Sequence, residues 1–225
     1  MKLLSSDYDG TIRVEDEESF MKNLEHIKEF MQKNIFLLNT GRSFQSIRKE
    51  IDENNIPFHY LSCCDGNIIM DKEYNIIYCT SLDDELLSVF DGLKFKYENL
   101  TINLVEFRGN IIEFGFVTPN LTDELMNDIE EICKENGLRT SMFKKDGFYE
   151  VFANLNSYSK SSAIKAILER EKISYTDTFC IGDDCNDIDM IRDYQGYTFP
   201  WGIDTLKELS LDTVDSVYSL IKKIS

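Results

Sequence analysis

The chain has 225 residues, of which 42% are hydrophobic, enough for one large domain or two unequal ones with a real core. Lys and Arg number 24 against 41 Asp and Glu, so the formal net charge is 24 − 41 = −17. This sign disfavours nucleic acid as a partner, because affinity for a phosphate backbone comes from cationic side chains. An acidic protein that handles a phosphorylated small molecule needs a cation and a few well-placed basic residues at its site.

The longest apolar stretches are the length of a strand and fall far short of the roughly 20 residues that a membrane-spanning helix needs. The first residues also lack the basic segment and apolar core of a secretion leader. We therefore expect no membrane partner and a cytoplasmic location. The sequence does not establish the oligomeric state.

The first part of the chain alternates between strand and helix patterns. An apolar strand at 2–6 is followed by a helix and then by an apolar strand at 35–40. The helix is predicted from apolar residues at helical spacing, namely Phe20, Leu24, Ile27 and Met31. A second helix is predicted from Ser43 to about Asn54, followed by the strand HYLSC and a hairpin-like pair around Lys72 to Asn75. Fully apolar strands of this kind are typical of a parallel sheet covered on both faces.

From about residue 82 the pattern becomes antiparallel. A short helix is predicted at 83–91, and the segments TINLVEF and NIIEFGFV then flank an RGN turn. A helix follows at 121–136, after which LRTSMF and FYEVFANL flank a turn that contains Asp-Gly. This segment is predicted to be a small α+β domain of ββαββ form.

Strand and helix alternation returns in the last part of the chain. A helix begins near Ser159, the strand TFCIG follows, and a short helix from Asn186 leads to the strand YTFPW and terminal helical segments. The whole pattern predicts an α/β core with a doubly wound parallel sheet, made of 1–81 and 154–225. The smaller α+β domain, 82–153, is predicted to be inserted into it.

Polar residues cluster where the predicted core strands end. Open α/β sheets bind ligands outside the carboxyl ends of their strands, so these residues are candidates for one site. They are Asp7, Asp9, Thr40, Gly41, Lys160, Asp183, Asp184, Asn186 and Asp187. Carboxylates can attack phosphorus and bind a hard divalent cation, and an ammonium, a hydroxyl and a backbone N–H can hold phosphoryl oxygens. The types present therefore suit phosphoryl transfer.

Asp7 and Asp9 raise a separate question, because Asp and Gly after a strand also form ordinary turns. If the chain stays extended to Asp9, the two carboxylates point to the same side and can reach one phosphoryl group. Gly10 then lets the backbone turn.

Four segments, DYDGT, LLNTGRS, SKSSA and GDDCNDIDM, occur in this order and resemble the four motifs of haloacid-dehalogenase-superfamily phosphatases. The inserted domain resembles their type IIB cap, as in the Cof-like and sucrose-phosphatase branches. The resemblance spans nearly the whole chain. It implies a Rossmann-like core, Mg²⁺ as cofactor, and hydrolysis of a small phosphorylated metabolite, with sugar phosphates as the leading class.

The resemblance also implies roles for single residues. Asp7 is expected to be the nucleophile and Asp9 the general acid/base. Phosphate is expected to be bound by Thr40, Gly41, Lys160 and Asn186. Mg²⁺ is expected to be held by the Asp7 carboxylate, the backbone carbonyl of Asp9 and the Asp183 carboxylate, with Asp187 beside them or bound through water.

Some positions and some functions stay open at this stage. Asp184 has no clear role, because the family often has a non-acidic residue there. Arg42 is either a substrate contact or a surface residue, and Trp201 is either a packing residue or a wall of the leaving-group pocket. A phosphosugar mutase or other phosphotransferase of the same fold is the nearest alternative function. A non-catalytic phosphosugar-binding protein and a receiver domain are further alternatives.

Overall fold

The computed structural model describes the whole chain, Met1–Ser225. The chain folds into two compact units: Met1–Tyr78 with Tyr158–Ser225, and Cys79–Ser157. The limits predicted from the sequence fall a few residues from this division, and their assignment to a catalytic core and a cap stays a prediction. None of the helices combines the length and the apolar character that a membrane crossing requires.

The structure contains twelve strands. In chain order they are β1 (Leu3–Ser6), β2 (Ile35–Asn39), β3 (Tyr60–Cys63), β4 (Ile68–Asp71), β5 (Ile76–Cys79), β6 (Thr101–Phe107), β7 (Asn110–Thr118), β8 (Leu138–Lys145), β9 (Phe148–Leu155), β10 (Thr178–Ile181), β11 (Gln195–Thr198) and β12 (Asp212–Thr213). Eight of them form one sheet in the order β12-β11-β10-β1-β2-β3-β4-β5. The pairs from β12 to β3 are parallel, and β4 is antiparallel to β3. The predicted parallel α/β core is therefore confirmed.

The register of the central strands brings their carboxyl ends level. Ser6, the last residue of β1, lies opposite Leu38 of β2 and Ile181 of β10. These strands are fully buried or nearly so, because helices cover the sheet. The residues that follow the three strands must therefore emerge side by side at one edge of the sheet.

Eight α-helices accompany the strands: α1 (Glu17–Phe30), α2 (Phe44–Asn54), α3 (Glu85–Lys96), α4 (Asp123–Glu135), α5 (Lys160–Glu171), α6 (Ile188–Asp193), α7 (Asp204–Leu209) and α8 (Val217–Ile224). Side-chain caps set several of their starts. The Ser159 hydroxyl accepts the amide N–H of Ser162, and the Ser162 hydroxyl accepts the amide N–H of Ser159. This reciprocal cap fixes the first turn of α5, in which Lys160 is the first helical residue.

Two predicted elements have different limits in the structure. The helix predicted at 83–91 is α3 and continues to Lys96, because the buried side chain of Leu93 extends its apolar face by another turn. The strand predicted as YTFPW is β11, which ends at Thr198. Pro200 has no amide hydrogen to continue the sheet, so Trp201 lies beyond the strand.

The second unit has a four-stranded antiparallel sheet in the order β6-β7-β9-β8. Its core lies between the sheet and helices α3 and α4. The Phe90 ring of α3 packs against Phe114 and Phe116 of β7, with ring centroids 4.9 Å apart in both pairs. The ββαββ form, preceded by a helix, is as predicted.

The first unit is interrupted between Tyr78 and Tyr158, and these two residues lie next to each other. Their rings stack with centroids 4.6 Å apart and an interplanar angle of 28°. The chain thus leaves the first unit and returns to it at one place.

Replacing Ile167 with Ala should lower the free energy of unfolding by about 2–5 kcal/mol, because it leaves a cavity under α5. Ile167 is fully buried in the core of the first unit. Guanidinium denaturation followed by circular dichroism measures the change. The matched control is Lys165→Ala, at an exposed position of the same helix, with an expected change within about 0.5 kcal/mol. Equal losses in the two variants would contradict this packing.

Candidate active site

The edge of the main sheet brings four of the predicted residues into direct contact. Asp7 follows β1, Lys160 begins α5, and Asp183 and Asp187 lie in the loop after β10. The Lys160 ammonium lies 2.6 Å from Asp7 Oδ1 and 2.6 Å from Asp187 Oδ1. Lys160 and Asp187 have no exposed surface, and Asp7 is only 6% exposed. Lys160 at the start of α5 thus joins two acids that follow different strands, Asp7 after β1 and Asp187 after β10.

Asp187 holds the loop that carries Asp183. Its second carboxylate oxygen accepts the backbone amides of Asp183 at 2.9 Å and Asp184 at 3.1 Å. Gly182 makes room for this carboxylate, because a Cβ on Gly182 would lie 2.3 Å from Asp187 Cγ. Both oxygens of Asp187 are therefore engaged, one by Lys160 and the other by the backbone of the loop.

Residues of the loop after β1 hold the Asp183 carboxylate in place. Its Oδ1 accepts the hydroxyl of Thr11 at 2.7 Å. Gly10 lies against the same carboxylate, at a φ of +72°, and a Cβ there would lie 2.2 Å from Asp183 Oδ2. Only glycine meets both demands. Thr11 is the last residue of the segment DYDGT, but its position in the sequence did not predict this contact.

Thr40 and Gly41 lie between β2 and α2. Thr40 is buried, and its hydroxyl accepts the backbone amide of Arg42 at 3.1 Å. A Cβ on Gly41 would lie 3.1 Å from Asn186 Nδ2 and 3.1 Å from Asp65 Oδ1. The side chains of Asn186 and Asp65 therefore approach Gly41 closely.

Asn186 is tied to Asp65 rather than to the acidic cluster. Its Nδ2 donates to Asp65 Oδ1 at 3.0 Å. Asp65 lies in a short 3₁₀ turn after β3, with a φ of +51°, and is only 4% exposed. The contact joins residues 121 positions apart in the chain, and the sequence did not predict that this carboxylate would orient Asn186. The available signal was an Asp-Gly pair shortly after the strand HYLSC.

Asp9 does not lie with the other acids. The strand ends at Ser6 and the chain turns at Tyr8, so the condition of an extended chain up to Asp9 is not met. The Asp9 carboxylate instead receives two hydrogen bonds from Arg42, Nε to Oδ2 at 2.7 Å and Nη2 to Oδ1 at 2.6 Å. Arg42, left open by the sequence, is thus the partner of Asp9.

Trp201 lies near the same edge through its contact with Gly10. The indole N–H donates to the Gly10 carbonyl at 3.1 Å. One face of the indole stacks on Phe199 at 4.6 Å, and Trp201 is 52% exposed. It therefore packs on one face only and borders the loop that contains Asp7 and Asp9.

Asp184 is outside the cluster. It is exposed, and its Oδ1 caps the next turn by accepting the Cys185 amide at 2.6 Å. This contact is a local structural one.

Burial sets the ionisation of the cluster. It raises the pKa of Asp7 well above its usual range, Lys160 opposes the shift, and Asp187 reinforces it. Burial likewise raises the pKa of Asp187, again against Lys160. For Lys160, burial disfavours the charge, but Asp187 and Asp7 outweigh it and raise the pKa. Lys160 is therefore an ammonium at neutral pH.

The acidic cluster fits a divalent cation. One carboxylate oxygen from each of Asp7, Asp183 and Asp187 lies within 4.8 Å of the other two. With Lys160, the fully ionised cluster carries −3 + 1 = −2, which one divalent cation neutralises. Carboxylate oxygens are the ligands that Mg²⁺ and Ca²⁺ prefer. The Asp9 carboxylate is not part of this set.

Without metal, the contribution of Asp183 to the free energy of unfolding should fall as pH rises from about 4 to about 7. Burial, with Asp187 adding to it against the Thr11 hydrogen bond, raises the pKa of Asp183 from 3.8 to about 6. The folded state then holds a proton that the unfolded state has lost, so deprotonation near pH 6 removes stability, up to about 2 kcal/mol for this partly exposed group.

Urea denaturation in EDTA across this pH range, for the wild type and Asp183→Asn, measures the effect. The difference between the two proteins should shrink or reverse as pH rises through 6. Parallel pH dependences would show that Asp183 keeps its ordinary pKa.

Known proteins resemble the whole of this chain. The sequence model of the haloacid dehalogenase-like hydrolases matches residues 4–113 and 94–209. The 5-amino-6-(5-phospho-D-ribitylamino)uracil phosphatase YcsE of Bacillus subtilis is 25% identical over 207 residues, covering 86% of this chain and 81% of the relative. Phosphoglycolate phosphatase 1 of Saccharolobus solfataricus is 26% identical over 202 residues, covering 85% and 79%.

Solved structures share the fold. The phosphatase BT1666 of Bacteroides thetaiotaomicron, from the same superfamily, has a TM-score of 0.81 at 14% identity, covering 100% of this chain and 94% of its own. The subclass IIB sugar phosphatase BT4131 has a TM-score of 0.76 at 16% identity, with 100% and 98% covered. Because the sequence model matches well over half of its residues, the chain belongs to the haloacid dehalogenase-like hydrolases, as an enzyme of the phosphatase type.

Proposed function

We propose that this phosphatase is Mg²⁺-dependent and hydrolyses a small phosphorylated metabolite, with sugar phosphates as the leading class, through an aspartyl-phosphate on Asp7. One observation carries the proposal. The Asp7 carboxylate is buried at the carboxyl edge of the sheet, against the Lys160 ammonium and within 4.8 Å of carboxylate oxygens of Asp183 and Asp187. Burial favours the protonated form of Asp7, whereas the Lys160 ammonium together with a bound divalent cation would favour the ionised carboxylate, which can attack phosphorus.

In the first step, a carboxylate oxygen of Asp7 forms a bond to phosphorus while the bond from phosphorus to the leaving oxygen breaks. Asp9 gives its proton to that oxygen, so the product leaves as a neutral alcohol. In the second step, Asp9 takes a proton from a water molecule as the water oxygen bonds to phosphorus. The phosphorus–oxygen bond to Asp7 breaks, which regenerates the carboxylate and releases phosphate.

The phosphoryl oxygens are held by groups around Asp7. Lys160 is placed to neutralise one oxygen, since its ammonium already contacts Asp7. The Thr40 hydroxyl and the Gly41 amide lie just before α2, where unpaired amides favour an anion. Asn186 is oriented toward Gly41 by Asp65. These residues bind the group that is transferred in both steps.

Asp7 and Asp183 would supply carboxylate ligands for the cation, and the backbone carbonyl of Asp9 would be a third ligand. Asp187 orients Asp183 through the loop backbone and contributes charge or a water-mediated contact. When bound, Mg²⁺ neutralises the charge that develops on the phosphoryl oxygens. The Lys160 ammonium, which contacts both Asp7 and Asp187, offsets part of the repulsion between these acids.

The substrate class rests on the relatives and on charge. YcsE and the Saccharolobus enzyme are named for small phosphorylated metabolites, and BT4131 for sugar phosphates. The chain's charge of −17 disfavours a polyanionic substrate. Transfer to a second sugar is the alternative outcome, and release of inorganic phosphate distinguishes it from hydrolysis.

Replacing Asp7 with Asn should abolish phosphate release, with a loss of at least about 10³-fold in kcat, because the amide cannot attack phosphorus. The measurement is inorganic phosphate released from p-nitrophenyl phosphate and from a panel of sugar phosphates, phosphoglycolate and nucleotides in millimolar Mg²⁺. EDTA should have the same effect on the wild type.

The control for this substitution is Asp184→Asn, at an exposed acid of the loop outside the cluster, which should lose less than about tenfold. Wild-type activity in Asp7→Asn would exclude the proposed nucleophile. Consumption of a sugar phosphate without phosphate release would favour a transferase.

Mg²⁺ should also change the fluorescence of Trp201, the only tryptophan of the chain. Its indole N–H donates a hydrogen bond to the carbonyl of Gly10, and Gly10 packs directly against Asp183. A cation on Asp183 is therefore expected to alter the surroundings of the indole. A titration of the wild type with Mg²⁺ should saturate, and Asp183→Asn should weaken it by at least about tenfold. An identical titration in both proteins would place the cation elsewhere.

A further inference from the structure

Arg42 links the acid Asp9 to the segment that is proposed to bind phosphate. Its guanidinium holds both oxygens of Asp9, at 2.6 and 2.7 Å. Its backbone amide donates to the Thr40 hydroxyl, and its carbonyl accepts the amide of Cys64. We propose that Arg42 is a positioning residue, which sets the orientation of Asp9 for proton transfer to the leaving group. The proposal rests on the function proposed above.

The guanidinium is itself braced by two other side chains. Its Nη1 lies 3.2 Å from Glu50 Oε1, and the other Glu50 oxygen accepts the hydroxyl of Tyr8 at 2.9 Å. The Arg42 guanidinium also lies over the Tyr8 ring, 5.1 Å from its centroid. Tyr8 is fully buried and stands between Asp7 and Asp9 in the chain. The network therefore ties α2 to the loop that carries both acids.

This arrangement differs from the ordinary ion pairs of the surface. Arg13 and Arg48 each pair with one acid four residues later in the chain, and their side chains are 38% and 40% exposed. Such pairs stabilise little. The Arg42 side chain is 28% exposed and joins two acids, one of them 33 residues away in the chain. Two parallel hydrogen bonds from a planar guanidinium also restrict the Asp9 carboxylate to one plane, whereas a lysine ammonium would not.

Loss of the two hydrogen bonds from the Arg42 guanidinium would free the Asp9 side chain. A free Asp9 side chain would sample several rotamers, and proton transfer depends on one of them. The loss should therefore be largest for leaving groups that need a proton most. Phosphate binding through Thr40 and Gly41 should be little affected, because those residues keep their own contacts.

The experiment compares kcat/KM for p-nitrophenyl phosphate and phenyl phosphate in Mg²⁺, because phenol is the more basic leaving group of two similar shape. Arg42→Ala should lose about 10²-fold with phenyl phosphate and less than about tenfold with p-nitrophenyl phosphate. Arg42→Lys should restore little, because it keeps the charge without the fork. In an Asp9→Asn background, Arg42→Ala should cost nothing further.

Arg48→Ala is the matched control, because Arg48 lies in α2, close to Arg42 in the chain, and forms a surface pair with Asp52; it should leave kcat/KM for both substrates unchanged. Cooperative thermal melting of each variant shows that it is folded. An equal rise in KM for both substrates, additive with Asp9→Asn, would make Arg42 a phosphate contact and overturn the proposal. A faster reaction in Arg42→Ala would show that the pair restrains Asp9, which overturns it too. Undiminished activity of Asp7→Asn would instead refute the proposed function itself.

Discussion

The buried ammonium of Lys160 is the interaction on which the arrangement of the site depends. It lies 2.6 Å from Asp7 and 2.6 Å from Asp187, and burial leaves these three groups little contact with water to stabilise their charges. Removing one partner from such a group is costly, because the remaining charge stays buried and unpaired. The end of β1, the start of α5 and the loop after β10 are therefore held in one geometry.

Several local features act together to allow this ion pair. The reciprocal Ser159–Ser162 cap sets where α5 begins, and so where Lys160 enters the site. Gly182 leaves the space that the Asp187 carboxylate fills, and Asp187 in turn binds the amides of the loop. The acids repel one another, and the Lys160 ammonium and these hydrogen bonds hold them close.

The sequence was sufficient to predict the architecture and the central cluster. Strand and helix periodicities differ clearly, and buried parallel strands with level ends bring Asp7, Thr40 and Asp183 to one edge. The orientation of Asp9 was beyond this reasoning, because it depends on where β1 ends and on an arginine 33 residues later. The contacts of Thr11 and Asp65 likewise join segments far apart in the chain, and α3 runs beyond its predicted end because tertiary packing extends it.

The stacked rings of Tyr78 and Tyr158 have a consequence for how such an enzyme diversifies. These rings, with centroids 4.6 Å apart, lie at the two points where the chain leaves the first unit and rejoins it. The entropy of closing a chain between fixed ends grows only slowly with its length. Inserts of very different size can therefore be carried between these tyrosines with little effect on the fold of the sheet. The parallel sheet with its charged edge thus becomes a constant platform, and the intervening segment is free to change.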